Sequence, residues 1–345
     1  MKNLVWWLGS SVLAISITVP QAFGIGVRAG ERIEGAVGES VATSVDQVDS
    51  VRAESEKTYP IQLYRGTKVG ARFHMTATAS LTNTETLFDG DESLGDQSQS
   101  GKIRLEADGT VLAVDEDGGI TQAEYLVVLF EAQVDGQPVA GLSPGQVVET
   151  KSVGATTEIL LQEGELTPTQ SFFLSQVLET ANQEDTRDDV IFGTSEPQAL
   201  GGHWDISKES TVEELAKNYV AVEEEDLEGG THLVAIREIA GVPCLYLEGT
   251  LEASPFVSAS MNPEGKLGSR LALSFTGCYP LDLERMPLSG HISSYSSVRN
   301  QIGVEEGVPV ILRRVSESEK DFTLRPFRES SAETPSTETD AEDSQ

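Results

Sequence analysis

Short runs of alternating apolar and polar residues, separated by tight-turn dipeptides, recur along most of this chain, and that period of two predicts antiparallel strands with one buried side. Asp-Gly pairs occur at Asp108-Gly109, Asp117-Gly118 and Asp135-Gly136. Both residues of such a pair tolerate positive φ, which the two-residue hairpin turn requires. A turn at Asp108-Gly109 would set Leu105 across from Leu112 and Ile103 across from Val114, so that the apolar residues of both strands share one face. Glu124 to Val134 holds the unbroken run Tyr125 to Phe130, which predicts a central strand covered on both faces. Strands near 145–151 and 155–162 complete a first lobe. In the C-terminal half, strands are predicted at about 231–239, 242–254, 267–279, 289–299 and 307–315, and a turn at Ala240-Gly241 faces Ile236 to Leu245 and Val234 to Leu247.

The period changes at Thr167-Pro168-Thr169-Gln170. Threonine can cap the free amides, proline suits the first helical position and glutamine can close a capping box. Phe173, Leu174, Val177, Leu178 and Ala181 supply an apolar stripe, so a main helix is predicted over 167–182, packed on a sheet. A shorter helical stretch is predicted near 211–219. The fold class that follows is mainly β (α+β), with antiparallel meander sheets in two curved lobes. The first spans 58–185 with the helix and the second spans 186–328.

The ends read differently. Lys2, the apolar run from Leu4 to Val19 and the small-residue segment ending Ala22-Phe23-Gly24 have the order of an export signal peptide over 1–24. The run is shorter than the roughly 20 apolar residues a bilayer core requires, and no cysteine follows it. The expectation is therefore an exported periplasmic or extracellular protein, not lipid-anchored, without a transmembrane segment in the mature chain. Residues 25–57 read as a flexible or partly helical arm, and 329–345 as a disordered acidic tail without aromatic residues.

Fifty-six acidic residues stand against 24 basic ones, for a net charge of −32. That potential repels phosphate backbones and argues against a nucleic-acid partner. Cys244 and Cys278 read as neighbours on the same side of adjacent strands. A turn centred on Asn262-Pro263-Glu264-Gly265 puts Cys244 opposite a residue near 281, so a disulfide needs a bulge to repair the offset, and bridged and free forms both stay open.

Few fragments carry chemistry. Gly141-Leu142-Ser143-Pro144-Gly145 fits the Gly-x-Ser-x-Gly pattern of a hydrolase nucleophile, but Pro144 lacks the N–H that an oxyanion hole uses, and a turn is the better reading. Asp115, Asp117 and Glu124 occupy positions of a calcium loop, but its first ligand would be Ala113 and a hairpin precedes it where such a loop needs a helix, so an acidic hairpin turn is the better reading, calcium is the alternative and no other cofactor is expected. Asp89-Gly90-Asp91-Glu92 reads as a solvated turn. His74, His203, His232 and His291 have no partner at metal-ligand spacing. Trp204 beside Gly201, Gly202 and His203 could form a ligand-stacking edge, or could be a core anchor.

Asp188-Asp189-Val190-Ile191-Phe192-Gly193-Thr194, then Gly201-Gly202-His203-Trp204, with the helix opening Leu166-Thr167-Pro168 and the strand ending Val134-Asp135-Gly136-Gln137-Pro138, resemble a family of exported proteins from planctomycete- and verrucomicrobium-like bacteria. The resemblance covers roughly residues 60–315, implies an extracytoplasmic β-rich protein and brings no catalytic residue. The function expected from the whole reading is non-enzymatic binding of an apolar or extended ligand, or of a protein partner, on a concave sheet face. The alternatives are a carboxylate- or metal-dependent hydrolase and a structural component of the cell envelope.

Overall fold

The computed structural model describes residues 57–154, 156–178, 180, 188–217, 220–258, 269–305 and 307–327. The signal peptide, nearly all of the N-terminal arm, the acidic tail and the turn expected at Asn262-Pro263 lie outside the described residues. Among those described, the chain forms β1 (Thr58–Tyr59), β2 (Arg72–Asp89), β3 (Glu92–Val114), β4 (Ile120–Val134), β5 (Gln137–Pro138), β6 (Val147–Val153) and β7 (Thr156–Leu161). Helices α1 (Pro168–Ser175) and α2 (Asp188–Phe192) follow, then β8 (Gln198–Ala199), β9 (His203–Asp205), helix α3 (Lys208–Lys217) and β10 (Val220–Ala221). The remaining strands are β11 (Leu227–Ile239), β12 (Val242–Ala253), β13 (Val257–Ser258), β14 (Arg270–Pro280), β15 (Ser289–Glu305) and β16 (Val308–Pro326).

Twelve strands join one antiparallel sheet in the order β7-β6-β4-β3-β2-β16-β15-β14-β12-β11-β9, with β5 beside β4. The predicted meander is therefore present, and its two halves belong to one sheet. They are joined because β16, the last strand, lies between β15 and β2, pairing with β2 from Pro326↔Phe73 to Val310↔Asp89. What divides the protein is its core.

On one face, Phe73, Met75 and Ala77 of β2, with Ile103, Leu105 and Ala107 of β3 and Tyr125 and Val127 of β4, form a buried cluster closed by Phe173 and Leu174 of α1. Leu245, Leu247 and Leu251 of β12, with Leu271, Leu273 and Phe275 of β14, form a second cluster closed by Ile191 and Phe192 of α2 and Leu215 of α3. Between the clusters the same face carries Ser294 and Ser318, whose buried hydroxyls lie 2.6 Å apart. The period-two alternation produces this division directly: every second side chain of a strand points to one side.

Helix α1 has the expected cap. Thr167 Oγ1 accepts from the Gln170 N–H at 3.2 Å, and Gln170 Oε1 accepts from the Thr167 N–H at 2.9 Å. The helix is shorter than the predicted 167–182. Gln176 N–H donates to Phe173 O and Val177 N–H to Leu174 O, tighter bonds that end the helix while still carrying Val177 and Leu178 into the core. The Ala240-Gly241 turn is as predicted, with positive φ at both residues. It pairs Ile236 with Leu245, and a bulge at Val234 brings Leu233, not Val234, opposite Leu247.

Two strand expectations are corrected. Asp108-Gly109 is not a turn; β3 runs straight through it, and the hairpin lies at Asp89-Gly90, where Asp89 pairs with Glu92. Gly109 is opposite Phe73, and a Cβ there would lie 2.3 Å from the Phe73 ring. The glycine makes room for an aromatic ring lying across the neighbouring strand, and Asp108 accepts from His74 Nδ1 at 2.8 Å on the other face. Gly249 opposite Phe275 and Gly290 opposite Phe322 repeat the arrangement. Among the described residues the run 124–134 is covered on one face only: Leu126 and Val128, on its other face, are 44% and 41% exposed.

Candidate functional site

The sheet face away from the cores encloses an open trough of about 860 Å³. Register builds its wall. Ser100, Thr82, Glu317, Tyr295, Ala272, Glu252 and Glu228 stand side by side on β3, β2, β16, β15, β14, β12 and β11. Two residues along each strand, Lys102, Ser80, Glu319, Ser293, Ser274 and Thr250 form a second row. All thirteen line the trough. At about 4.8 Å between strands, seven strands extend about 29 Å along the sheet. Ser274 and Ser293 hydroxyls are 2.7 Å apart, and Arg270 Nη2 donates to Glu252 at 2.8 Å. A smaller hollow of about 340 Å³ continues past Lys102 and Glu319 to Arg104, Glu131 and Asp321, where His291 Nδ1 lies 2.9 Å from Asp321.

A second space, of about 100 Å³, lies on the opposite face where the two cores meet. Its floor is Phe73, Met75, Ile292, Lys320, Phe322 and Leu324, and its roof includes Leu63, Val177, Asp188, Met286 and Pro287. Lys320 and Asp188 are buried, at 6% and 8% exposure. Tyr279 also lines it; burial first, then the carboxylates of Asp188 and Asp189, push its phenol well above the usual range.

The roof is held by Asp189, whose carboxylate accepts from the N–H groups of Leu63 at 2.5 Å and Tyr64 at 3.0 Å. Beside it Arg65 is 5% exposed, with Nε donating to Gln62 O at 2.7 Å. Burial lowers the Arg65 guanidinium pKa despite the neighbouring Asp189 and Tyr279. Its Nη1 and Nη2 have no acceptor among the described residues.

The sequence-predicted site residues fall elsewhere. Trp204 and His203 do not form one edge: adjacent residues of a strand point to opposite faces. Trp204 is turned to the second core, its Nε1 donating to Phe192 O at 2.7 Å, while His203 is exposed and paired in register with His232. Asp115 Oδ1 accepts from the N–H groups of Asp117 at 3.0 Å and Gly119 at 2.7 Å, closing the turn after β3, whereas Glu124 sits within β4 and accepts from Gln162. The three are not brought together, and no group of three His, Cys, Asp or Glu able to hold a metal ion forms among the described residues.

Cys244 and Cys278 are free, buried thiols in one small cluster with Leu288. Cys244 pairs with Pro280 and Cys278 with Tyr246, so the two are diagonal neighbours. Burial, then the adjacent Cys278, pushes the Cys244 thiol up to about 11.

Sequence reasoning missed Lys320, Tyr279, Asp188 and Arg65. A signal existed for Lys320: it precedes Phe322 and Leu324 at intervals of two, the parity of a buried face. Ending the last strand at 315 hid it.

No protein-family model matches the sequence, and no curated protein matches it. Likeness to solved structures is slight. A lipovitellin structure describing lipid–protein interactions aligns over 75% of this chain and 25% of its own, at 10% identity and a TM-score of 0.29. Pseudomonas aeruginosa OccK2 in complex with glucuronate aligns over 74% of this chain and 97% of its own, at 7% identity and a TM-score of 0.16. An outer membrane channel from Pseudomonas putida F1 aligns over 76% and 98%, at 8% and 0.15. At these scores none bears on fold or ligand. No helix among the described residues is long and apolar enough to cross a membrane.

Proposed function

We propose that the protein is a binding protein, acting outside the cytoplasm, whose concave sheet face takes an extended cationic partner such as a lysine- or arginine-rich peptide segment. The pair of register rows carries this reading. Glu228, Glu252, Glu317 and Glu319 stand against Lys102 on the trough wall, among serine and threonine hydroxyls. A chain lying across the strands meets a carboxylate or hydroxyl at nearly every strand it crosses. Because the side chains stand on a sheet held by continuous ladders, little ordering cost falls on the protein side when the partner binds. The net charge of −32 adds long-range attraction for a cation. The export leader read over residues 1–24 supports the extracytoplasmic setting.

Fluorescence anisotropy with a labelled octalysine peptide tests this. Glu317→Gln with Glu319→Gln is expected to weaken binding about tenfold, as loss of two charge-assisted contacts would. Asp91→Asn with Glu92→Gln removes the same charge from the exposed β2–β3 hairpin and is expected to leave affinity within about twofold, the screened contribution of distant surface charges. Equal losses in the two variants, or displacement by a neutral oligosaccharide, would overturn the proposal.

A further inference from the structure

The trough borders a third row of the same sheet face. Two residues beyond Lys102, Ser80, Glu319, Ser293, Ser274 and Thr250 along each strand stand Arg104, Thr78, Asp321, His291, Thr276 and Glu248, and the row continues through His232 of β11 to His203 of β9. Three of the four histidines in the chain are thereby brought to one line beside the acidic wall. They lie far apart in sequence and share a row only through the ladders that run from β9 to β15.

The charged groups facing these imidazoles are carboxylates. His291 Nδ1 lies 2.9 Å from an Asp321 carboxylate oxygen, with neutral Thr276 on its other side, and Glu319 stands next to Asp321 on the same face of β16. His232 has Glu248 opposite on β12 and His203 opposite on β9, with Glu228 further along its own strand. His203 has Asp205 two residues along β9, and its ring leans over Gly230, where a Cβ would lie 2.8 Å from its Cε1 and Nε2, so it reaches from its own row into the second row of the trough. Among the described residues of these rows the cations are Lys102 and Arg104, both on β3, three strands from His291. Neighbouring rows are two residues of strand apart, about 7 Å, within the screening length of about 8 Å at physiological ionic strength. A charge gained on this row is therefore felt at the wall.

We infer that acidification releases the partner from the trough: near neutral pH the uncharged histidine row leaves the wall negative and able to hold an extended cation, and protonation of His203, His232 and His291 sets three positive charges beside it. Imidazole is the side chain whose charge ordinarily changes between pH 5 and 8. The wall carries Glu228, Glu252, Glu317 and Glu319 against Lys102, so the charges gained by the three histidines equal its excess of negative charge. This regulation rests on the trough being the partner's site, as proposed above.

Anisotropy titrations of the full chain with labelled octalysine at about pH 7.5 and about pH 5.5, an interval that spans imidazole titration, at fixed ionic strength, test the release. Octalysine affinity of the natural chain falls about eightfold between the two, about twofold for each charge gained at that distance in water. The combined variant His203→Gln, His232→Gln, His291→Gln binds as the natural chain does at the higher pH and loses no more than about twofold at the lower, the allowance for distant screened charges. His74→Gln keeps the full response, because His74 pairs with Asp108 two rows further along β2, about 14 Å from the histidine row. His232→Lys, charged at both pH values, already weakens octalysine about twofold at the higher one, and it decides the matter should the combined variant fail to fold. Equal weakening in the natural chain and the combined variant, or His232→Lys binding as tightly as the natural chain, overturns the release and leaves the trough as a cation site. Absence of octalysine binding at the higher pH overturns both.

Discussion

Alanine in place of Gly249 would put a methyl carbon 2.0 Å from Cε1 of Phe275, its register partner on β14. Two carbons rest about 3.5–4.0 Å apart, so the ring would have to retreat by about 1.5 Å. It has nowhere to go. Phe275 is 2% exposed and meets Phe192 edge-to-face, with ring centroids 5.1 Å apart. Overpacking of this kind costs about 1–3 kcal/mol, partly offset by about 0.5–1 kcal/mol from restricting the unfolded chain. The net expectation is a destabilisation of about 1–2 kcal/mol, read as a lower urea midpoint at unchanged slope. Gly303 is the control: nothing lies within 4 Å of a Cβ built there, so Gly303→Ala is expected to be neutral within about 0.5 kcal/mol, as surface substitutions usually are. Phe275→Leu should cost stability alone yet cost less in the Gly249→Ala background, a coupling of about 1 kcal/mol or more. If Gly249→Ala proves as harmless as Gly303→Ala, the account of these glycines as seats for cross-strand rings is wrong.

Trp204→Phe loses the hydrogen bond to Phe192 O and should destabilise by about 1–2 kcal/mol, while His203→Ala, on the opposite face of the same strand, should not shift the urea midpoint; similar losses in both would contradict the facing. The raised Cys244 pKa fixes a pH dependence: an unfolded thiol ionises near its ordinary value of 9.0 and the folded one at about 11, so the unfolded state sheds its proton first, and stability present below pH 9 is lost as pH rises toward 11. Cys244→Ser, compared with the natural chain in urea titrations across that window, should flatten the loss, and an unaltered profile would refute the assignment. Diagonal neighbours on paired strands are about 7–8 Å apart, beyond the usual reach of a disulfide. Thiol titration of unfolded, unreduced protein is therefore expected to find both cysteines free, and a count of zero would show a bridge.

Local features were legible from residue order alone. The capping box at Thr167, the Ala240-Gly241 turn and the one-sided apolar pattern of β12 each rest on contacts within a few residues or on period two, and neighbouring side chains suffice to specify them. The turn position also sets Cys244 opposite a residue near 281, and it pairs with Pro280, because hairpin register follows from where the turn lies. Asp108-Gly109 shows where local reasoning stops: the dipeptide is as able to turn as Asp89-Gly90, and only the Phe73 ring crossing Gly109 from the next strand decides between them. The same holds for the larger features. That β16 lies between β2 and β15 joins the halves into one sheet. It also lines up Thr82 with Glu317 and Tyr295, which lie more than two hundred residues further along the sequence, and makes Lys320 a wall of a cavity instead of one more surface lysine. Residue order sets which side of a strand is apolar; which strands become neighbours is settled only when distant segments compete to bury those sides together, and both candidate sites are products of that competition.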